Sequence, residues 1–294
     1  MNKSYVKISI CVGIVALMIL SAFPTLTADI SFDETKVYTG PKEVYKIPKG
    51  KPPSPPGQDK KPPKDEDPDP EPTVNKWAVV IGISNYRGKG HDLQYCDDDA
   101  QDMYDYLIAK GYPAENIKLL KDGSAKSTSI ESAINWLGSQ ENETSEVVFF
   151  YSGHGSTYDG YDDGDTEYTD EAIVAADLYL ILDGQLQQLF YNFESQKISF
   201  IFDSCFSGGM NDLEGSGRVV VTACGEYEYS FDGSSTQQNG VFTYYYMEGL
   251  DTYNTVEGAF GYAEPLAHNF VEDNYGYQMN PQKYDQYGGD WSFV

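Results

Sequence analysis

Positive charge is scarce in this chain. Over 294 residues, 20 lysines and arginines stand against 46 aspartates and glutamates, a formal charge of −26. Only Arg87 and Arg218 are arginines. Such a surface repels phosphate backbones and anionic lipid headgroups, which excludes nucleic acid and acidic membranes as targets. It leaves soluble exposure, divalent cations and cationic substrates, and most of the acids read simply as solvated surface. Histidine is rarer still, at three residues, His91, His154 and His268. Cysteine is limited to Cys11, Cys96, Cys205 and Cys224. No sequence repeat is evident. The hydrophobic fraction, 40%, suffices for the packed core of one sizeable α/β domain with appendages.

One long apolar run is present. Lys3 and Lys7 precede Ile8–Phe23, Pro24 breaks the run, and Ala28 offers a small residue for cleavage. Residues 1–28 therefore read as an export signal, and the protein is expected outside the cell or at its surface. Leu26 occupies a position where cleavage prefers a small residue. The alternative is an uncleaved N-terminal anchor, the one route by which a membrane would become a partner. With Cys11 in that segment, three cysteines remain, so at least one thiol is unpaired and no disulfide scaffold is expected. Residues 29–48 carry no strong periodicity. Residues 49–73 are dominated by proline, lysine and aspartate and cannot bury a core, so 29–74 form a pro-segment and spacer. A domain boundary falls near residue 75, and the folded domain is 75–294.

Beyond it, β and α patterns alternate. Trp77–Ile83 is apolar without interruption, as a strand buried on both faces would be. Helices are predicted over 97–110, 127–137, 183–191, 241–250 and within 256–273, where Pro265 is a candidate kink. Further strands are predicted over 116–120, 146–151, 198–202 and 218–223. Strands separated by helices imply a mostly parallel sheet covered on both faces, with ligand sites beyond the carboxyl ends of the strands.

Two of those ends carry chemistry. Strand 146–151 runs out into Tyr151-Ser152-Gly153-His154-Gly155, and strand 198–202 into Asp203-Ser204-Cys205-Phe206. Neighbouring parallel strands would deliver an imidazole and a thiol to one edge, the minimal apparatus for acyl transfer. The amides of Gly155 and Cys205 are candidate oxyanion donors. His91 lies in a glycine-rich loop and His268 in a late helix, so neither competes with His154. Asp203, two residues before Cys205, should line the adjoining pocket. Asp99, at the start of the first helix, can reach the same edge, and together they favour a cationic side chain. The plain alternative for Asp99 is a charge placed at a helix N-terminus.

These residues resemble the caspase-like cysteine peptidases (peptidase C14, clan CD), most closely the metacaspase branch. The likeness spans about residues 76–294. It rests on AVVIGISNY (78–86), Cys96-Asp97-Asp98-Asp99-Ala100, FFYSGHGS (149–156), FDSCFSGG (202–209), VTAC (221–224) and GVFTYYYMEGL (240–250). It implies a caspase-like three-layer sandwich, a mostly parallel sheet of about six strands with helices on both faces. It also implies hydrolysis by a His154–Cys205 dyad that needs no cofactor for chemistry. Metacaspases build the pocket from positions matching Cys96, Asp99, Ser152 and Asp203, and that correspondence selects Asp99 among three contiguous aspartates. Leu93 stands where a caspase specific for aspartate would need an arginine. Protein or peptide substrates with Lys or Arg before the scissile bond are therefore expected, cleaved by a monomer. The lysines of 42–64 are candidate sites of self-processing.

Other features admit two readings. Residues 157–171 hold seven acids, a set of hard oxygen ligands suited to calcium in what reads as a flexible loop. Zinc is excluded by the lack of nearby histidine and cysteine. The family likeness points to Asp170, Asp183 and Asp212 as calcium ligands, although Gly184 stands where a second acid is expected. The other reading is a solvated loop. Cys96 either lines the pocket or packs under the sheet edge, and a Cys96–Cys224 disulfide is a further alternative. The tyrosines, 25 in all, either shape subsites or cover the sheet. Asn142-Glu143-Thr144 is a glycosylation sequon. The rival functions are an inactive caspase-fold module for calcium binding or surface interaction, and an anchored adhesion domain.

Overall fold

A strand that is apolar at every position has two faces to cover, and the chain supplies helices for both. The computed structural model describes residues 36–37, 75–88, 90–160 and 169–293. In chain order the elements are β1 (Lys36–Val37), β2 (Lys76–Gly82), α1 (Cys96–Ala109), β3 (Ile117–Lys121), α2 (Ser127–Gln140), β4 (Glu146–Ser152), β5 (Gly155–Asp159), β6 (Thr169–Val174), β7 (Tyr179–Leu182), α3 (Asp183–Phe190), β8 (Ile198–Asp203), β9 (Arg218–Thr222), α4 (Val241–Tyr253), α5 (Val256–Tyr275) and β10 (Gln282–Asp285). The main sheet has six strands in the order β10-β9-β8-β4-β2-β3. Every neighbouring pair is parallel except β10 with β9.

The two-residue period of the strands sorts their side chains into two cores. Val79, Ile81, Val147, Phe149, Phe200 and Phe202 meet Ile130, Ile134 and Leu137 of α2 and Leu186 and Phe190 of α3. Ala78, Val80, Val148, Phe150 and Ile201 share the second core with Met103 and Leu107 of α1, Phe242, Tyr246 and Leu250 of α4, and Ala259 and Ala263 of α5. Phe149 anchors the first layer, with its ring centroid 5.3 Å from Phe190 and 5.7 Å from Phe202. Each such buried side chain stabilises the fold by about 1.5–3 kcal/mol. The result is a caspase-like α/β sandwich.

A second, four-stranded sheet in the order β1-β7-β6-β5 departs from the sequence reading. The segment 157–171, read as a flexible acidic loop, gives its two ends to strands. Thr157 pairs with Glu171 and Tyr158 with Asp170 across an antiparallel ladder. Residues 161–168 of that segment lie outside the described residues. Lys36–Val37, inside the segment read as a pro-segment, pairs in parallel with Tyr179–Leu180. Strand β10 was also not predicted, because Gln282–Asp285 has no apolar signature and is held by the backbone of β9. Helix α5 continues through Pro265 to Tyr275. The N-terminal apolar run and the proline-rich spacer are outside the described residues. Among those described, no helix is long and apolar enough to cross a membrane.

Register is what builds the site. The last pairs of the β2–β4 and β4–β8 ladders are Gly82 with Ser152 and Ser152 with Asp203. His154 follows Ser152 by two residues and Cys205 follows Asp203 by two, so both leave the sheet at one level.

Candidate active site

Where the strands end, their backbones nearly touch. Gly153 N donates to Asp203 O at 3.2 Å. A Cβ on Gly155 would overlap the carbonyl oxygen of Cys205, so only glycine allows this approach. The two candidate oxyanion residues, Gly155 and Cys205, thus meet at this point. Phe206 then turns the chain away in the left-handed region, φ 60°, with its amide donating to Glu228 O at 2.8 Å. A non-glycine residue accepts that conformation at a cost of about 1–2 kcal/mol.

His154 is buried and fixed from several sides. Its amide donates to the Tyr86 hydroxyl at 2.7 Å, and its ring lies 4.7 Å from the Tyr86 ring. The Tyr151 hydroxyl donates toward His154 O at 2.7 Å. Its Nε2 is 2.7 Å from the carbonyl oxygen of His91. A carbonyl only accepts, so Nε2 carries the proton and Nδ1 keeps its lone pair. Nδ1 is buried with no hydrogen-bond partner among the described residues. Burial lowers the imidazole pKa to about 4, opposed by the bond to His91. The ring is therefore neutral at physiological pH, with Nδ1 ready to take a proton.

Cys205 is buried, with its sulfur 3.6 Å from Ser230 O, and it lines a small cavity. Attack on a substrate requires this sulfur as a reduced thiol or thiolate. Cys96 and Cys224 are both free thiols, which removes the Cys96–Cys224 bridge. Burial pushes Cys224 up to about 12 and Cys96 well above the usual thiol range, so both are inert at neutral pH.

The cavity is about 20 Å3 and is lined by Leu93, Cys96, Ser152, Asp203, Cys205 and Asp232, among others. That is room for roughly one water, so a long side chain enters only by displacing partly exposed walls such as Leu93. Two buried carboxylates belong to this corner, Asp203 in the cavity wall and Asp99 behind it. Asp99 accepts from Ser152 Oγ at 2.6 Å and from Gly240 N at 3.0 Å. Asp203 accepts from Thr243 N at 3.0 Å, from Thr243 Oγ1 at 2.7 Å and from Ser230 Oγ. A Cβ on Gly240 would overlap the Asp203 carboxylate and lie 3.2 Å from Asp99 Oδ2. Burial raises both carboxyl pKa values, and the Asp203 charge raises that of Asp99 further. No Lys or Arg among the described residues pairs with either. Of the three contiguous acids, Asp97 instead faces Lys121 at 3.6 Å and Asp98 is exposed. Arg218 is spent on Leu213 O and Phe190 O.

The metal prediction fares differently. Asp170 on β6 and Asp183 at the start of α3 are buried, and Asp212 is half-buried. Among the described residues no group of three or more His, Cys, Asp or Glu side chains could hold a metal ion. The described residues thus do not assemble a calcium site from Asp170, Asp183 and Asp212, and no step below passes through a metal.

Sequence reasoning missed His91 because its contribution is a backbone carbonyl. Tyr86, Gly240 and Thr243 sat inside quoted motifs without an assigned role. Ser230 and Asp232 carry no motif at all.

The chain is similar to known proteins in family and in fold. Residues 75–267 match the Peptidase_C14 family, described as the caspase domain. Metacaspase-3 of Arabidopsis thaliana is 30% identical over 174 residues, 55% of this chain and 48% of that protein. Metacaspase-1A of Aspergillus oryzae is 32% identical over 48% of this chain and 36% of its own length. Metacaspase-4 of Arabidopsis thaliana is 35% identical over 47% and 35%. The matched stretch thus spans about half, or less, of these curated relatives. Among solved structures, protein GSU0716 from Geobacter sulfurreducens has a TM-score of 0.54 at 16% identity, covering 74% of this chain and 95% of that one. That likeness concerns the fold alone. With the caspase-domain match extending over most of the folded residues, the chain belongs to the caspase-domain peptidase family C14.

Proposed function

We propose that the protein is a cysteine endopeptidase that hydrolyses peptide bonds after lysine or arginine. The observation that carries the specificity is the pair of desolvated carboxylates, Asp203 lining the cavity with Cys205 and Asp99 buried behind it, with no Lys or Arg among the described residues to neutralise them. A buried acidic pair of this kind favours a ligand that brings its own positive charge.

The chemistry follows from the tautomer of His154. Nδ1 takes the proton of the reduced Cys205 thiol, and the thiolate attacks the carbonyl carbon. A C–S bond forms while the carbonyl π pair moves onto oxygen. The oxyanion collapses, the C–N bond breaks, and the leaving amine takes the proton from the imidazolium. A water then attacks the thioester, giving one proton to His154. Collapse expels the cysteine sulfur, which recovers that proton. The hydrogen bond from Nε2–H to His91 O holds the ring in the required tautomer throughout.

The proposal extends to export by residues 1–28 and to clipping within 42–64 by the enzyme itself, both outside the described residues. Calcium enters only as a variable of the assay. The test is turnover of fluorogenic peptides ending in Arg, Lys, Asp or Asn, in reductant, with calcium or chelator. Hydrolysis of the Arg and Lys peptides alone supports the reading. A preference for Asp refutes the pocket assignment, and no turnover of any favours a binding module. N-terminal processing that persists in Cys205→Ala excludes self-cleavage.

A further inference from the structure

A further carboxylate lines the cavity beside Asp203. Asp232 is half-buried beside Asp203 and Cys205. One of its carboxylate oxygens accepts from Gln94 N at 3.2 Å, and its backbone carbonyl accepts from the Tyr275 hydroxyl at 3.1 Å. The loop that carries it is pinned at its base. Asp232 forms an antiparallel bridge with Gly240, Gly233 N donates to Asn239 O at 2.9 Å, and Val241 N donates to Phe231 O at 2.9 Å. Gly240 is also the residue whose amide binds Asp99. The position of Asp232 is thus tied, through one short hairpin, to the two deeper acids.

The three carboxylates differ in what they have left to offer. A carboxylate accepts about four hydrogen bonds. Asp203 already accepts from Ser230 and twice from Thr243, and Asp99 from Ser152 and Gly240. Among the described residues Asp232 accepts one bond, from Gln94. Burial also raises its pKa, to about 6, so that at neutral pH it is mostly ionised. An ammonium is a compact charge with about three donors, which the remaining capacity of the deep pair can meet. A guanidinium presents about five donors in a rigid plane and needs acceptors spread around its rim.

Resting on the basic-residue specificity proposed above, we infer that Asp232 is the third wall of the pocket and selects arginine over lysine before the scissile bond. It acts on the substrate's side chain, not on the reacting atoms, so its effect falls on the ratio of the two substrates.

Matched peptides ending in Arg and in Lys test this on the wild type, Asp232→Asn and Asp232→Glu. Wild type is expected to prefer Arg. Asp232→Asn should lose about 10- to 100-fold in kcat/KM on Arg, the worth of one charge-assisted hydrogen bond. Lys turnover should change by less than about threefold, and Asp232→Glu, which keeps the charge, should keep the preference. Equal losses on both peptides, no loss on either, or loss of preference in both variants would overturn the inference. So would a wild type that cleaves Lys peptides as well as Arg peptides, a readout that needs no variant to fold. A wild type that cleaves neither basic peptide removes the underlying specificity as well, and is distinguishable from all of these.

Discussion

Replacing Asp203 by asparagine removes a charge while keeping a shape, and so isolates what the deep acid does. Asp203 is 4% exposed, and its oxygens accept from Thr243 N, Thr243 Oγ1 and Ser230 Oγ. An asparagine placed there can turn its carbonyl oxygen toward Thr243, whose amide only donates. Its NH2 then faces Ser230 Oγ, which accepts as readily as it donates. Packing is preserved, and the cation of the substrate loses a desolvated partner. Truncating one member of a buried charge pair costs about 2–5 kcal/mol, so kcat/KM on an Arg peptide should fall by roughly 30-fold to several thousand-fold. Stability should move the other way. Burial holds the Asp203 carboxyl above its usual range, so its contribution to folding is present below about pH 3.9 and is lost as pH rises through the folded value. At pH 7 the variant should melt at the same temperature as wild type or higher, and the gap should close toward pH 4. Undiminished turnover of basic peptides by the variant would refute the acidic-pocket reasoning, and a large fall in melting temperature would refute the claim that the buried Asp203 charge costs stability at neutral pH.

Three further outcomes are expected. Tyr86→Phe leaves the buried His154 amide without its acceptor, a loss of about 1–3 kcal/mol in stability with a lower kcat, read by thermal melting and steady-state kinetics. Gly240→Ala forces a methyl into the Asp203 carboxylate, and turnover of basic peptides should fall at least about tenfold with the fold retained by circular dichroism. In Cys205→Ala the His154 imidazole should titrate near pH 4 by NMR. Because that pKa is lowered by burial, the ring's contribution to stability is intact above about pH 6.5 and is lost as pH falls toward 4.

The parts of the fold legible in sequence were those with two faces to bury. β2, β4, β8 and β9 announce themselves as unbroken apolar runs because helices cover both sides, and α1 and α2 as their amphipathic complements. The small sheet was not legible. Thr169–Val174 begins with Thr-Asp-Glu, and acids in a strand read as solvated loop unless the neighbours that bury them are known. His154 and Cys205 could be placed at one edge of the sheet because two parallel strands ending at one level make a simple geometric statement. The polar scaffold around them could not. Ser230, Asp232 and Thr243 reach the pocket from far along the chain, and His91 acts through an atom that every residue possesses.

Covalent trapping tests the central claim most directly. A peptidyl halomethyl ketone ending in arginine, incubated with the reduced protein and mapped by mass spectrometry, should alkylate Cys205 and leave Cys96 and Cys224 unmodified. The same reagent ending in aspartate should react far more slowly, and His154→Ala should abolish labelling by both. Alkylation spread over the three cysteines, or Cys205 labelled equally well without His154, would contradict a thiol and an imidazole working together in an acidic cleft.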